Sequence, residues 1–377
     1  MEDVPSYEVV IAGAGPAGCA AAIVLHRAGR RVCLVDDAPV DGLKVGESLP
    51  GAARRLLHQL GIAGLESLLA PADYHACVAN ASAWGSEQWT YQSALANPEG
   101  GGWHLNRAAF DAALRRHAEA AGVPRYTAQV AEMTRLFTTD ESGWLVQLKP
   151  TGQGEPAALH AAWVIDATGR RAYVSRRQHL AREQLDQQMA AVGWVPAGAH
   201  DADRTTRLKS VPTGWWYTAR LPTGRRVICF HGLPVAVAAH LKNPAAFLAA
   251  FDATGILPHA TSPAGPVEIR GMDASVARLP RAATTGLLAV GDAALSFDPL
   301  SSQGIFFALY SGIKGADTIM DVLAAPHQQT TALENYQAQL NRVFEANQRS
   351  RKHYYASEFR YLSEAYWQTR MGALVVG

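Results

Sequence analysis

One turn of small residues carries the clearest chemistry in the chain. Gly13-Ala14-Gly15-Pro16-Ala17-Gly18 follows a β-branched run and precedes an Ala/Leu-rich one. In a strand–turn–helix unit Gly13 permits the tight turn and Gly15 lets the backbone approach a pyrophosphate. Gly18 allows close packing of helix on strand. Pro16 and Ala17 begin the helix, whose free N–H groups and about half a positive charge face the phosphates. Asp36 stands roughly 20 residues beyond the glycines, directly after the next apolar run, as a ribose-binding carboxylate should. Asp37 is the neighbouring alternative. A purely structural glycine turn would also read this way, but strand, helix and acid together favour dinucleotide binding.

Two later segments say which dinucleotide. Asp166-Ala167-Thr168-Gly169 and Gly291-Asp292 each follow a short apolar run. Asp298-Pro299-Leu300-Ser301-Ser302-Gln303-Gly304-Ile305 comes next and leads into helical sequence. A second glycine-and-helix start can aim N–H groups at an isoalloxazine ring, at the N1–C2=O edge where negative charge builds on reduction. Asp292 would hold a ribityl hydroxyl. The expected cofactor is FAD, held by Gly13, Gly15, Pro16, Ala17, Gly18, Asp36, Ser48, Val130, Thr168, Gly169, Gly291, Asp292, Ser302, Gln303, Gly304 and Ile305.

Other side chains are candidates for the reaction. Glu47 and Ser48 can lie beside the flavin, although Ser48 before Pro50 also has the composition of a helix N-cap. His104 and His231 are candidate proton acceptors, with a satisfied structural histidine as the alternative. Trp215, Trp216 and Tyr217 can line an aromatic pocket, or simply fill a half-buried strand. There is no HExxH, no GxSxG and no carboxylate pair at metal spacing, so neither a metal site nor a serine nucleophile is expected.

The elements that must position these residues follow from pattern. Strands are predicted over residues 7–12, 31–35, 163–167 and 287–290, and helices over 19–28, 52–60, 110–121 and 306–316. Residues 130–148 read as strand, turn and strand, with Asp140-Glu141-Ser142-Gly143 as the turn. Residues 187–269 read mostly as strands, and the tail beyond Thr330 as helix. The cofactor domain is expected in three pieces, 1–73, 103–180 and 270–330. Residues 74–102 and 181–269 form a substrate domain, and 331–377 a helical C-terminal segment.

Composition narrows the class. The chain has 377 residues, a formal net charge of +1, 48% hydrophobic and 18% charged residues. That excludes a disordered chain and argues against a general nucleic-acid binder. The longest apolar stretch, 9–25, is broken by Gly13, Gly15, Pro16 and Gly18, so no membrane span is expected. Met1 is followed by Glu2 and Asp3, not by a basic and apolar leader, and the four cysteines form no CxxC pair. A cytoplasmic location is the expectation.

Taken together, Gly13 to Gly18, Asp36, Asp166 to Gly169 and Gly291-Asp292 resemble the FAD-binding set of the aromatic hydroxylase and tryptophan halogenase superfamily. The resemblance implies an α/β fold: a glutathione-reductase-type Rossmann domain with an inserted β-sheet substrate domain and a helical tail. It also implies that Arg107 contacts FAD. Lys44-Val45-Gly46-Glu47-Ser48-Leu49-Pro50 is similar to the Gly-Glu-Ser segment of flavin-dependent halogenases. Those enzymes need a lysine shortly after that segment, and none occurs here between Lys44 and Lys149.

Segments 82–86, 102–107, 298–304 and 354–360 resemble a second branch, the flavoproteins that modify tryptophan in partner enzymes carrying cysteine tryptophylquinone. Asn106 departs from that branch's aspartate. The implied function is an FAD-dependent monooxygenase acting through a flavin C4a-hydroperoxide. Its substrate would be an electron-rich aromatic, an indole or tryptophan, free or in a partner protein. O₂ and NAD(P)H, or reduced flavin from a separate reductase, would be consumed. The alternatives are a halogenase with a relocated catalytic group, or a flavin-binding maturation partner with little chemistry.

Overall fold

The computed structural model describes residues 4–37, 42–137, 142–151, 157–198, 200–259, 261 and 267–372. The strand Ser6–Ala12 is buried at its core end and pairs in parallel with Val32–Val35 on one side and Ala158–Asp166 on the other. Leu287–Ala289 extends the parallel set beyond Ala158–Asp166, and Arg125–Tyr126 extends it beyond Val32–Val35. The parallel strands therefore all end at one edge, where the loops after Ala12, Val35, Asp166 and Ala289 meet. A hairpin of Ala128–Phe137 and Ser142–Pro150 joins the same sheet. Part of its turn, with Asp140 and Glu141, lies outside the described residues.

Two helices cross close together beneath that edge. Pro16–Arg27 begins three residues earlier than expected, because Pro16 at its first position needs no N–H partner and presets φ. It packs on Gly304–Ala324, and a Cβ at Gly312 would lie 2.3 Å from the Ala17 carbonyl oxygen. Both helices thus aim their N-termini at the same space. A third helix, Arg107–Ala120, is capped by Asn106, whose Oδ1 accepts from the Ala109 N–H at 3.4 Å.

The second large sheet has seven strands. In spatial order they are Ile269–Asp273, Met189–Pro196, Arg225–Gly232, Gly214–Arg220, Thr205–Val211, Ala79–Ala83 and Thr90–Ser93. Pairing is antiparallel except between Thr205–Val211 and Ala79–Ala83. One face packs on the helices Pro234–Lys242 and Pro244–Asp252, which interrupt a stretch expected to be mostly strand. Each starts with proline at the first turn, a position where proline favours a helix. The tail forms Gln329–Ala356 and Ala365–Gly372. No helix among the described residues is long and apolar enough to cross a membrane.

Candidate functional site

The edge of the parallel sheet and one face of the second sheet enclose a cavity of about 540 Å³. Its floor is the glycine turn. Gly13 holds φ +103° and its N–H donates to the Val35 carbonyl at 2.8 Å. A Cβ there would stand 2.4 Å from the Ala167 carbonyl oxygen, so only glycine fits. Gly15 is different: nothing lies within 4 Å of where its Cβ would be. That open space sits at the N-terminus of Pro16–Arg27, which has no side-chain cap. Asp36 follows the neighbouring strand, and its Oδ2 is buried without a hydrogen-bond partner. The closest cation, Arg115 Nη1, is 3.9 Å away.

Asp166 organises the next loop rather than facing a ligand. It is fully buried, its Oδ1 accepts from Thr168 N–H and Oγ1–H at 3.1 and 2.6 Å, and its Oδ2 accepts from Ser175 N–H at 2.7 Å. Thr168 and Gly169 are thereby held against the cavity. Opposite them, the Gly291 N–H donates to Ser311 Oγ at 2.7 Å, and Asp292 reaches into the cavity with Oδ2 3.7 Å from Arg170 Nε. Ser302 turns the chain at φ +50°, and Gly304 then starts a 21-residue helix with no side-chain cap and open space over its Cα.

These features fit FAD: two bare helix N-termini for negative charge, glycines with room above them, and a buried carboxylate oxygen without a hydrogen-bond partner where a ribose hydroxyl belongs. Arg107 also lines the cavity, but its guanidinium is largely spent. Nη1 donates to the Val45 and Gly46 carbonyls at 2.5 and 2.8 Å, and Nε donates to Asp111 Oδ1 at 3.3 Å. It clamps the segment carrying Glu47. Asp111, 2% exposed, also binds Lys44 Nζ at 3.0 Å; burial works to raise its carboxyl, but these two cations outweigh it and hold the carboxyl below the usual range.

The far wall is aromatic. Trp215 and His231 stack face to face with centroids 3.8 Å apart and planes within 8°. Burial lowers His231 to about 3, so the ring is neutral at physiological pH, and its Nδ1 has no partner. Glu47 is 4% exposed and accepts a hydrogen bond from Tyr217 Oη, which also lies 3.3 Å from Ser48 Oγ. Burial raises the Glu47 carboxyl above its ordinary value, and it raises the Tyr217 phenol as well.

Most of the expected cofactor residues line this cavity, as do Glu47, Ser48, His231, Trp215 and Tyr217; Val130 does too. Three residues lie elsewhere. Gly18 serves packing alone: its Cβ would stand 1.9 Å from the Gly13 carbonyl oxygen. His104 is fully buried, with Nε2 2.8 Å from Thr206 Oγ1 and its ring edge-on to His75 at 5.2 Å. Trp216 points to the opposite face of its strand, among Phe230, Phe247 and Phe251 at 5.0 to 5.6 Å, because successive side chains alternate. Cys229, Arg170 and Lys44 line the cavity without having been expected there. Cys229 was findable: it pairs directly with Tyr217 across two predicted strands.

Comparison with known proteins agrees with this geometry. A tryptophan halogenase family model matches residues 74–373, and an FAD-binding domain model matches residues 8–49. LodB of Marinomonas mediterranea, named provisionally as an FAD-dependent oxidoreductase, is 26% identical over 97% of each chain. The myxobacterial chondrochloren halogenase CndH has the same fold, with a TM-score of 0.84 at 22% identity over 97% of this chain and 86% of its own. So has QhpG, a peptidyl tryptophan dihydroxylase essential for tryptophylquinone cofactor biogenesis. Its TM-score is 0.77 at 24% identity, over 97% of this chain and 79% of its own. The chain belongs to the tryptophan halogenase family of FAD-dependent oxidoreductases.

Proposed function

We propose that this protein is an FAD-dependent monooxygenase that hydroxylates an electron-rich aromatic ring, an indole or tryptophan, free or carried by a partner protein. The observation that carries the reading is the wall opposite the cofactor cradle: a stacked Trp215–His231 pair beside a buried Glu47–Tyr217 pair, with no free lysine among them. Lys44 is the lysine among the lining residues, and Asp111 holds it at 3.0 Å. Similarity to LodB and to the dihydroxylase QhpG supports the same reading.

Reduced FAD, when bound, supplies the activation of dioxygen. The protein's residues do the rest. The bare helix starts at Pro16 and Gly304 would stabilise negative charge on the pyrophosphate and at the N1–C2=O edge of the flavin ring. Trp215 and His231 present a flat apolar surface that orients an aromatic ring and excludes water. Glu47, once ionised, accepts the proton released as the ring regains aromaticity, and Tyr217 holds its Oε1 in place.

The test supplies holoprotein with NAD(P)H or reduced flavin, ¹⁸O₂ and a series of indoles and tryptophan peptides. One labelled oxygen in the product, unaffected by chloride or bromide, is expected. Product formation only with halide present would establish the halogenase alternative, which the family model and relatives such as the Chondromyces crocatus tryptophan 2-halogenase favour.

A further inference from the structure

The C-terminal helix Ala365–Gly372 packs directly behind the aromatic wall. Trp215 has a single polar atom, Nε1, and it donates to Tyr366 Oη at 3.0 Å. Tyr366 Oη donates onward to Gln188 Oε1 at 2.6 Å and lies 3.1 Å from Tyr355 Oη. Tyr355 Oη donates to Asp298 Oδ2 at 3.0 Å. Asp298 opens the loop that leads to Gly304, where its Oδ1 accepts from the Leu300 N–H at 3.0 Å. Trp215, Gln188, Asp298, Tyr355 and Tyr366 are each 2% exposed or less. Ion pairs anchor the outer end: Arg351 and Arg370 reach Asp186 Oδ2 at 2.7 and 2.6 Å, and Arg351 Nε reaches Asp298 Oδ2 at 3.2 Å.

The choice of side chain is informative. The opposite face of the same sheet is closed by Phe230, Phe247 and Phe251, which need no partners. The cavity face is closed by Tyr355 and Tyr366, and each buried hydroxyl is matched to a named acceptor. Packing alone would be served by phenylalanine at both positions.

We infer that Tyr366 is a positioning residue: its hydroxyl fixes the Trp215 ring in the cavity wall and, through Tyr355 and Asp298, ties that wall to the loop at the flavin end. The chain's last described helix is thereby part of the site, although none of its residues lines the cavity. The kinetic consequence rests on the hydroxylation proposed above; the structural claim does not.

The experiment labels the holoprotein with 5-fluorotryptophan and assigns the Trp215 fluorine resonance by its loss in Trp215→Phe. A single narrow line is expected in the parent protein. Tyr366→Phe keeps the ring and removes the shared oxygen, so its Trp215 line should split or broaden. Gln188→Leu removes the acceptor of Tyr366 and should do the same, should the first variant fail to fold. Tyr336→Phe is the control. Tyr336, in the long helix of the same tail, donates its hydroxyl to the Ala289 carbonyl at 2.8 Å within a core separate from the cluster around Trp215, so this change should lower the melting temperature and leave the line alone.

An unchanged Trp215 line in the folded variants overturns the inference. So does an equal change in Tyr336→Phe, which would make general loosening the cause. In turnover, Tyr366→Phe should form about tenfold less product per NAD(P)H consumed at unaltered FAD affinity. If the holoprotein hydroxylates no aromatic at all, the functional proposal falls by itself, and the resonance still decides the positioning role.

Discussion

At the scale of single residues, two glycines six atoms of backbone apart make opposite predictions. Gly13→Ala places a Cβ against the Ala167 carbonyl at φ +103°, so it should destabilise the apoprotein by about 1–3 kcal/mol or more. Gly15→Ala meets open space and should leave apoprotein stability nearly unchanged, yet weaken FAD binding if the pyrophosphate takes that space as proposed. Thermal melts of the apoproteins and FAD titrations separate the two effects. Glu47 gives a pH prediction. Burial raises its carboxyl, so the acceptor form appears only above the ordinary carboxylate range. kcat/KM should rise with pH through that raised value, and Glu47→Gln should lose this limb. Linkage runs the other way for stability. The folded state keeps a proton that the unfolded chain, near 4.3 for glutamate, has already released. Folding stability should therefore fall as pH rises from the ordinary value to the raised one, and Glu47→Gln should remove that slope. Gly13 and Gly18 were legible because each answers a local backbone requirement. The spent state of Arg107 was only half legible: Asp111 is its i,i+4 neighbour on the helix, but the Val45 and Gly46 carbonyls reach it only in three dimensions.

At the scale of elements, what the site needs is two helix N-termini aimed into one space. The crossing of Pro16–Arg27 and Gly304–Ala324 provides it, and Gly312 sets how closely they approach. Gly312→Ala would press a methyl group on the Ala17 carbonyl and on Ala20 Cβ at 3.0 Å. It should cost about 1–3 kcal/mol of stability and, by parting the N-termini, weaken FAD binding as well. Melting and cofactor titration on one sample check both. Four of the parallel strands were readable from sequence, since each ends in a buried apolar run, three of them ahead of a glycine-bearing turn and Val32–Val35 ahead of Asp36; the short Arg125–Tyr126 carries no such run and was not. The helix pair 234–252 was not. Its alanine-rich sequence has only a weak amphipathic pattern, and its two prolines were read as turns rather than as helix starts. Trp216 teaches a related point. Three consecutive aromatics cannot all face one pocket from a strand, and the alternation alone removes the middle one.

At the scale of the whole molecule, the cavity proposed to hold the cofactor is lined by segments near residues 13, 36, 168, 291 and 304, and its far wall by residues 47, 215, 217 and 231. The order of motifs could be read along the chain; their convergence depends on a parallel sheet whose strands all end at one edge. Such a site has a thermodynamic signature. A ligand that binds only the assembled state stabilises everything it holds together, by about 2.7 kcal/mol when present at roughly 100 times its dissociation constant. Because both large sheets line the cavity, FAD should raise the melting temperature of the entire chain in one transition. The 5-fluorotryptophan resonances of Trp194, Trp215 and Trp216 report the second sheet, since Trp144 and Trp163 stand on the first, and the visible spectrum of FAD reports the first. The two signals should move together and by the same interval as FAD is added. Gly15→Ala, which spoils the cradle and not the fold, should lose that interval in both. If FAD shifted the flavin signal while the tryptophan transition stayed in place, the aromatic wall would not belong to the site, and the substrate side of the proposed reaction would have to be sought on another face of the protein.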